Sequence, residues 1–428
     1  MILPDHIDYY PKIVPANRTS VVAVRQTKDY SSFDNDVIYS VAVYAKEELG
    51  SHEDPPNINC RPLDGVLNIV YDFRTEQEYI LVVSQNSGEV QANIGEYHVY
   101  AVEKDLFNRR PYKGDLHIHS NRSDGQEPPA YVAGSCRRIG LDFMAVTDHR
   151  QYNPSLEAIQ TFAHLPIDLC IFPGEEIHPP DNSVHMINFG GNASINDLFT
   201  DEVLYYAEVK EISEGFPELP EGWLRYQFAS CVWCYQKIRS VGGLAIFCHP
   251  YWVYRHSFNV PEILIAKHFD LLPFDAYEVI GGYHRFEIES NRLQVARYHE
   301  ERAKGKQIPI VGVSDAHGCE NGSLFGWYYT IVFSPSTDLS DLIQSIKELY
   351  SIAVENLPGE TLHTHGPFRL AKYAQFIQRE IMPLHDELCA EEGRLMLLYL
   401  AGSPQAETEL MARQGSVTGL YDLLWGQV

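Results

Sequence analysis

His117 and His119 stand two residues apart in Asp115-Leu116-His117-Ile118-His119-Ser120, and Asp124 follows in the turn Ser123-Asp124-Gly125. The same residue types recur beside other short apolar runs. Asp148 and His149 follow Phe143–Thr147, and Glu175 and Glu176 follow Cys170–Gly174. His185 leads into Met186–Gly190, His249 follows Leu244–Cys248, and Asp315 and His317 follow Ile308–Ser314. A lone His at a strand end is ordinarily a hydrogen-bonded core or surface residue. His, Asp or Glu at nearly every strand terminus of one region points instead to a metal site. Imidazole mixed with carboxylate suits Zn²⁺, Mn²⁺ or Fe²⁺, whereas Ca²⁺ takes an oxygen-rich cage. Residues two apart in a strand point the same way, so His117 and His119 can grip one ion while Ile118 faces the opposite layer. Asp315 and His317 repeat that spacing. Gly125 and Gly318 permit tight turns beside them. Asp115 and Asp148 are placed to hold neighbouring imidazoles by hydrogen bonds.

These residues need a scaffold that gathers strand ends. From Tyr112 onward, the runs 115–118, 143–147, 170–174, 186–190, 244–248, 276–280 and 308–314 read as buried strands. Helical stretches at 129–139, 233–241 and 287–304 separate many of them. The alternation predicts a parallel sheet with crossover helices, either a barrel or a doubly wound sheet, whose carboxyl ends collect the active site. A helix at 339–349 and a run at 351–355 close this unit. Residues 1–108 differ: short alternating runs at 19–25, 37–44, 66–73, 79–83 and 96–102, divided by turns, predict an antiparallel β-sandwich. That module is read as serving packing or oligomerisation, so a homo-oligomer is among the expected partners. Residues 361–428 carry apolar residues at helical spacing over 368–382, 386–400 and 406–413 and read as a helical C-terminal extension.

The chain has 428 residues, and Lys+Arg 33 against Asp+Glu 58 gives a net charge of −25 with His neutral. So acidic a chain does not wrap a nucleic-acid polymer, which needs a field of Lys and Arg. A bound metal can still reverse the local potential for a small anionic substrate. The start MILPDHIDYYPKIVP lacks the layout of a signal peptide, and no run approaches the ~18–20 apolar residues of a membrane span. The 8 Cys are scattered without framework spacing, which suits reduced thiols in a cytoplasm. Cys231 and Cys234 read as one buried helical face.

Gly-Asp-Leu-His-Ile-His-Ser with Ser-Asp-Gly, then Ala-Val-Thr-Asp-His, Pro-Gly-Glu-Glu-Ile, His-Met-Ile-Asn-Phe-Gly, Cys-His-Pro-Tyr and Val-Ser-Asp-Ala-His-Gly resemble, in order, the motifs of the polymerase and histidinol phosphatase (PHP) family over about residues 112–335. With the β-rich N-terminal region, the chain looks most like the branch containing carbaryl hydrolase. The resemblance implies a distorted (β/α)7 barrel over 109–360 and two or three divalent metal ions. It implies a first metal on His117, His119, Glu176 and Asp315, with Glu176 bridging to a second on His185 and His249. Asp124, His149 and His317 would hold a third. The family pattern Gly-x-Glu-Ile selects Glu176 and leaves Glu175 facing the other way.

The activity so implied is metal-assisted hydrolysis by a hydroxide bridging the ions. A phosphoesterase acting on a small phosphorylated metabolite or nucleotide is the first expectation, because three metals match three phosphoryl oxygens. Cleavage of a carbamate, ester or amide is the alternative, and a non-catalytic metal-binding scaffold is a third reading from another class. Arg150, His178, Tyr251, Arg255 and His284 follow strand ends and are candidates to face substrate. Leu362-His363-Thr364-His365-Gly366 is a further H-x-H, read as a surface loop because no strand signal precedes it.

Overall fold

The computed structural model describes residues 8–25, 32–48, 53–87, 90–219, 222–320 and 324–426. The chain forms two compact units, one of residues 1–110, 372–388 and 413–428, the other of 111–371 and 389–412. The C-terminal helices, expected as an extension of their own, are thus divided between the units. No helix among the described residues is long and apolar enough to cross a membrane.

The first unit holds two sheets. Strands Tyr9–Tyr10, Arg18–Arg25 and Val66–Phe73 form one, all antiparallel. The other runs in the order Ile13–Pro15, Val90–Val102, Gln77–Ser87, Tyr39–Ala45, Asn57–Cys60. Alternate residues of both sheets, among them Val22, Val24, Leu67, Ile69, Val41, Val43, Leu81 and Val99, share one buried cluster. Period-two burial along strands is what such face-to-face sheets require.

The second unit is mixed α/β. One sheet has the order Cys170–Phe172, Phe143–Ala145, Arg110–Asp115, Tyr328–Ser334, Ser351–Glu355, His363–His365. The other has the order Gly174–Ile177, Met186–Phe189, Leu244–Phe247, Ala276–Ile280, Ile310–Gly312. Apolar side chains of both sheets, including Leu116, Phe143, Ile187, Ile246, Val311 and Val332, join one core cluster. The strands do not run as one uninterrupted ladder. Pro173, which has no N–H to donate, stands where the chain leaves one sheet and enters the other. On the opposite side, Thr330 Oγ1 accepts from Gly312 N–H at 3.0 Å and donates to Gly312 O at 2.7 Å, so a side chain links the two sheets there.

Two local expectations are corrected. Met186–Phe189 runs antiparallel to both its neighbours, because the connection from Ile177 contains Pro179 and Pro180 and no crossover helix. His363–His365 is a strand, paired antiparallel with Ser351–Glu355 at the edge of its sheet. The three-residue run was too short to show a period.

Candidate metal centre

The first strand ends at Asp115, so His117 and His119 lie in the extended segment beyond it. Asp315 N–H donates to His117 O at 2.8 Å and His119 N–H donates to Ala316 O at 2.9 Å. This pairing brings Asp315 Oδ1 to 3.2 Å from His117 Nε2 and 2.9 Å from His119 Nε2. Asp315 holds φ +50°, a costly conformation for a non-glycine residue and one that recurs at functional sites. Gly125 and Gly318 serve close approach rather than positive φ: a Cβ on Gly125 would lie 2.8 Å from His119 O, and one on Gly318 2.8 Å from the Gln126 side chain.

Glu176 sits in the Gly174–Ile177 strand, fully buried. Its Oε2 lies 3.7 Å from His117 Nε2, 3.6 Å from His119 Nε2 and 3.4 Å from His178 Nε2, and it also meets His149 Nδ1. Its Oε1 lies 2.8 Å from His185 Nδ1 and 3.4 Å from His249 Nε2. Asp124 joins from its turn, with Oδ2 3.4 Å from His149 Nε2 and Oδ1 3.3 Å from His317 Nε2. The His119 ring packs against those of His317 and His149, at 4.2 and 4.3 Å between centroids. All nine residues read from the sequence as ligands therefore converge on one region.

The donor set fits divalent cations. Both Glu176 oxygens, His185 Nδ1 and His119 Nδ1 are buried without a partner in hydrogen-bond geometry. A buried carboxylate with no donor is costly, and a cation among these lone pairs supplies what is missing. Groups drawn from His117, His119 and Asp315, from His117, Glu176 and His249, and from His119, Asp124, His149 and His317 each bring their ligand atoms within 4.8 Å of one another. The electrostatics agree. Burial opposes charge on His117, yet Asp315 and Glu278 hold its pKa well above the ordinary imidazole value. Burial likewise opposes charge on His149, but Glu176 and Asp124 raise it to about 9. Burial pushes His185 down to about 4 against the pull of Glu176. Because metal ligands must be deprotonated, a cation binding here competes with protons for these imidazoles.

The supporting carboxylates differ from expectation. Asp115 accepts from the backbone N–H of His117 and Ser314, and Asp148 from Ser120 N–H and the Ser120 and Ser123 hydroxyls. Neither meets an imidazole, because each sits where the chain leaves a strand and its loop N–H groups need acceptors. The ring partner is Glu278, which sequence reasoning missed. Its Oε1 lies 3.3 Å from His117 Nδ1 while Oε2 accepts from His249 N–H at 3.0 Å. The available signal was an acid in the middle of the buried run Ala-Tyr-Glu-Val-Ile. Glu175 faces away from the cluster and accepts from Ile195 N–H, Asn188, Ser194 and Asn196.

The cluster opens on a cavity of about 400 Å³, walled by Trp252, His284, Phe286 and Leu324. His178 belongs to its lining, its ring stacked on His185 at 3.8 Å between centroids. Arg150 lines a neighbouring groove with Trp223 and Tyr226 instead. Tyr251 is buried, its hydroxyl accepting from Arg297 Nε at 3.1 Å, so it packs rather than lining the cavity. Arg255 stands in the turn of the exposed hairpin formed by Val253–Tyr254 and Ser257–Phe258, outside the lining.

No family model matches the chain. Over 64 residues it is 38% identical to the DNA polymerase/3'-5' exonuclease PolX of Bacillus subtilis, covering 15% of this chain and 11% of that protein. Over 190 residues it is 26% identical to an uncharacterized protein of Methanocaldococcus jannaschii, covering 42% of this chain and 87% of that one. Among solved structures, a two-domain Bacteroides vulgatus protein containing a predicted PHP-like metal-dependent phosphoesterase aligns at TM-score 0.40 and 14% identity, over 58% of this chain and 66% of that one. An amidohydrolase from Chromobacterium violaceum aligns at TM-score 0.32 and 17% identity, over 48% and 87%. The chain therefore spans a small part of the polymerase's length and just under two thirds of the Bacteroides protein's.

Proposed function

We propose that the chain is a PHP-type metal-dependent hydrolase, its first substrate class being phosphoesters of small metabolites or nucleotides. The reading rests on one observation: six imidazoles surround the buried Glu176 carboxylate, which no hydrogen bond satisfies. His117, His119, Glu176 and Asp315 would hold one cation, Glu176, His185 and His249 a second, and Asp124, His149 and His317 a third. When bound, such ions supply Lewis acidity and acidify water. The chain's own residues do the rest. Glu278 fixes the His117 ring, while Asp115 and Asp148 fix the backbone that carries His117, His119 and Ser120. Trp252 and Phe286 offer apolar surface on the cavity side. His178 and His284, in the cavity wall, are the imidazoles left to carry a proton to a departing oxygen.

A carbamate, ester or amide substrate is the second reading, and the cavity lining favours it. Trp252, Phe286 and Leu324 offer apolar contact, and neither Lys nor Arg lines the cavity among the described residues. A panel of phosphoesters assayed beside naphthyl carbamates and aryl esters, with Zn²⁺, Mn²⁺ or Fe²⁺ supplied, separates the two. Phosphate release supports the first reading. Turnover confined to carbamates or esters replaces it with the second, and turnover of none returns the protein to a scaffold role.

A further inference from the structure

The His-Thr-His run lies apart from the cluster around Glu176 and shares none of its residues. Strand pairing sets Glu355 opposite His363 and Ala353 opposite His365. Side chains two apart on a strand share a face, and directly opposed residues share it across the ladder. Glu355, His363 and His365 therefore project together. Glu355 Oε2 lies 3.3 Å from His363 Nδ1 and 3.6 Å from His365 Nε2. The second distance is too long for a hydrogen bond. His365 Nε2 is buried and has no partner in hydrogen-bond geometry. The three side chains open on a cavity of about 320 Å³ bounded by Ile288 and Val295 of the Ile288–Ala303 helix.

We propose that Glu355, His363 and His365 form a second, separate binding site for a divalent transition cation of the Zn²⁺ class. Two imidazole nitrogens and one carboxylate are a three-ligand set that leaves a fourth position for water on the cavity side. Ca²⁺ and Mg²⁺ are poor occupants, since both take oxygen ligands. Glu355 is the available anion, since Glu360, in the same wall, pairs with Arg285 at 3.8 Å. Arg292 also lines the cavity. The cation would cross-link the short edge strand His363–His365 to its neighbour, a strand otherwise held by the ladder of three residue pairs.

The test is Zn²⁺ titration of the chelator-stripped full chain by calorimetry, with elemental analysis after gel filtration. Wild type, H363Q/H365Q, E176Q/D315N and the combination of all four substitutions are compared, each checked for folding by circular dichroism. The proposal expects H363Q/H365Q to bind one Zn²⁺ fewer than wild type. It also expects E176Q/D315N to keep one Zn²⁺ that the quadruple variant loses. Equal Zn²⁺ content in folded wild type and H363Q/H365Q overturns it. Should the double substitution fail to fold, H363Q alone decides at an exposed position: a tenfold or greater loss of affinity in the E176Q/D315N background supports the site, and unchanged affinity overturns it.

Discussion

Glu175 and Glu176 are adjacent, identical in type and both fully buried, yet strand alternation sends them to opposite faces. Replacing Glu176 with Ala should strip cations and activity together, because its oxygens stand amid six surrounding imidazoles. Replacing Glu175 with Ala should spare metal content but destabilise the fold by about 1–3 kcal/mol, since Ile195 N–H and three side chains lose their acceptor. Elemental analysis paired with thermal melts distinguishes the outcomes, and the opposite pattern would reverse the two roles. Glu278 acts through His117 and the His249 backbone. Glu278→Gln should lower metal affinity by about 10–100-fold while the circular dichroism spectrum stays unchanged, which a metal titration of the folded variant would reveal.

At the scale of elements, the site depends on strand ends being held in register where the sheets are interrupted. Thr330 is buried and its hydroxyl satisfies both the N–H and C=O of Gly312, three residues before Asp315. Gly312 must be glycine here: a Cβ would lie 2.7 Å from Tyr329 O. Thr330→Val keeps the shape and removes the hydroxyl. It should cost about 1–3 kcal/mol by leaving a buried N–H unpaired, read as a lower denaturation midpoint. Thr330→Ser, which retains the hydroxyl, should recover most of the loss. Many strands and helices were legible because apolar runs and their breakers recur along the chain, but the buried strand Tyr328–Ser334 and the helices Asn153–Phe162, Glu202–Ser213 and Glu262–Leu271 were not read from it. The antiparallel turn of Met186–Phe189 was legible only in hindsight from Pro179-Pro180, and His363–His365 gave no periodic signal at all.

On the scale of the whole molecule, the surplus of carboxylates makes acid behaviour informative, and the first unit supplies a clear case. Glu78 meets Lys46 Nζ at 2.8 Å, His98 Nδ1 at 2.7 Å and the Arg379 guanidinium. Burial opposes its charge, but His98, Lys46 and Arg379 outweigh burial and hold the carboxyl down to about 2 from 4.5. A depressed carboxyl contributes its full stability above the unfolded value and loses it as pH falls through the folded one. The unit should therefore weaken between about pH 4.5 and 2, and E78Q should flatten that part of the acid melt while leaving metal binding unchanged.

The amino-acid sequence alone determined which residue types could hold a cation, since imidazole and carboxylate chemistry does not depend on the fold and their places beside apolar runs follow from chain order. It also fixed the alternation that turns Glu175 away from Glu176. Only the tertiary structure decided that those strand ends meet, that Glu278 rather than Asp115 or Asp148 steadies an imidazole, and that Tyr251 is packed away from the cavity. Those outcomes rest on contacts between residues far apart in the chain, such as His117 with Glu278, whose distances are set by packing and leave no mark on local spacing.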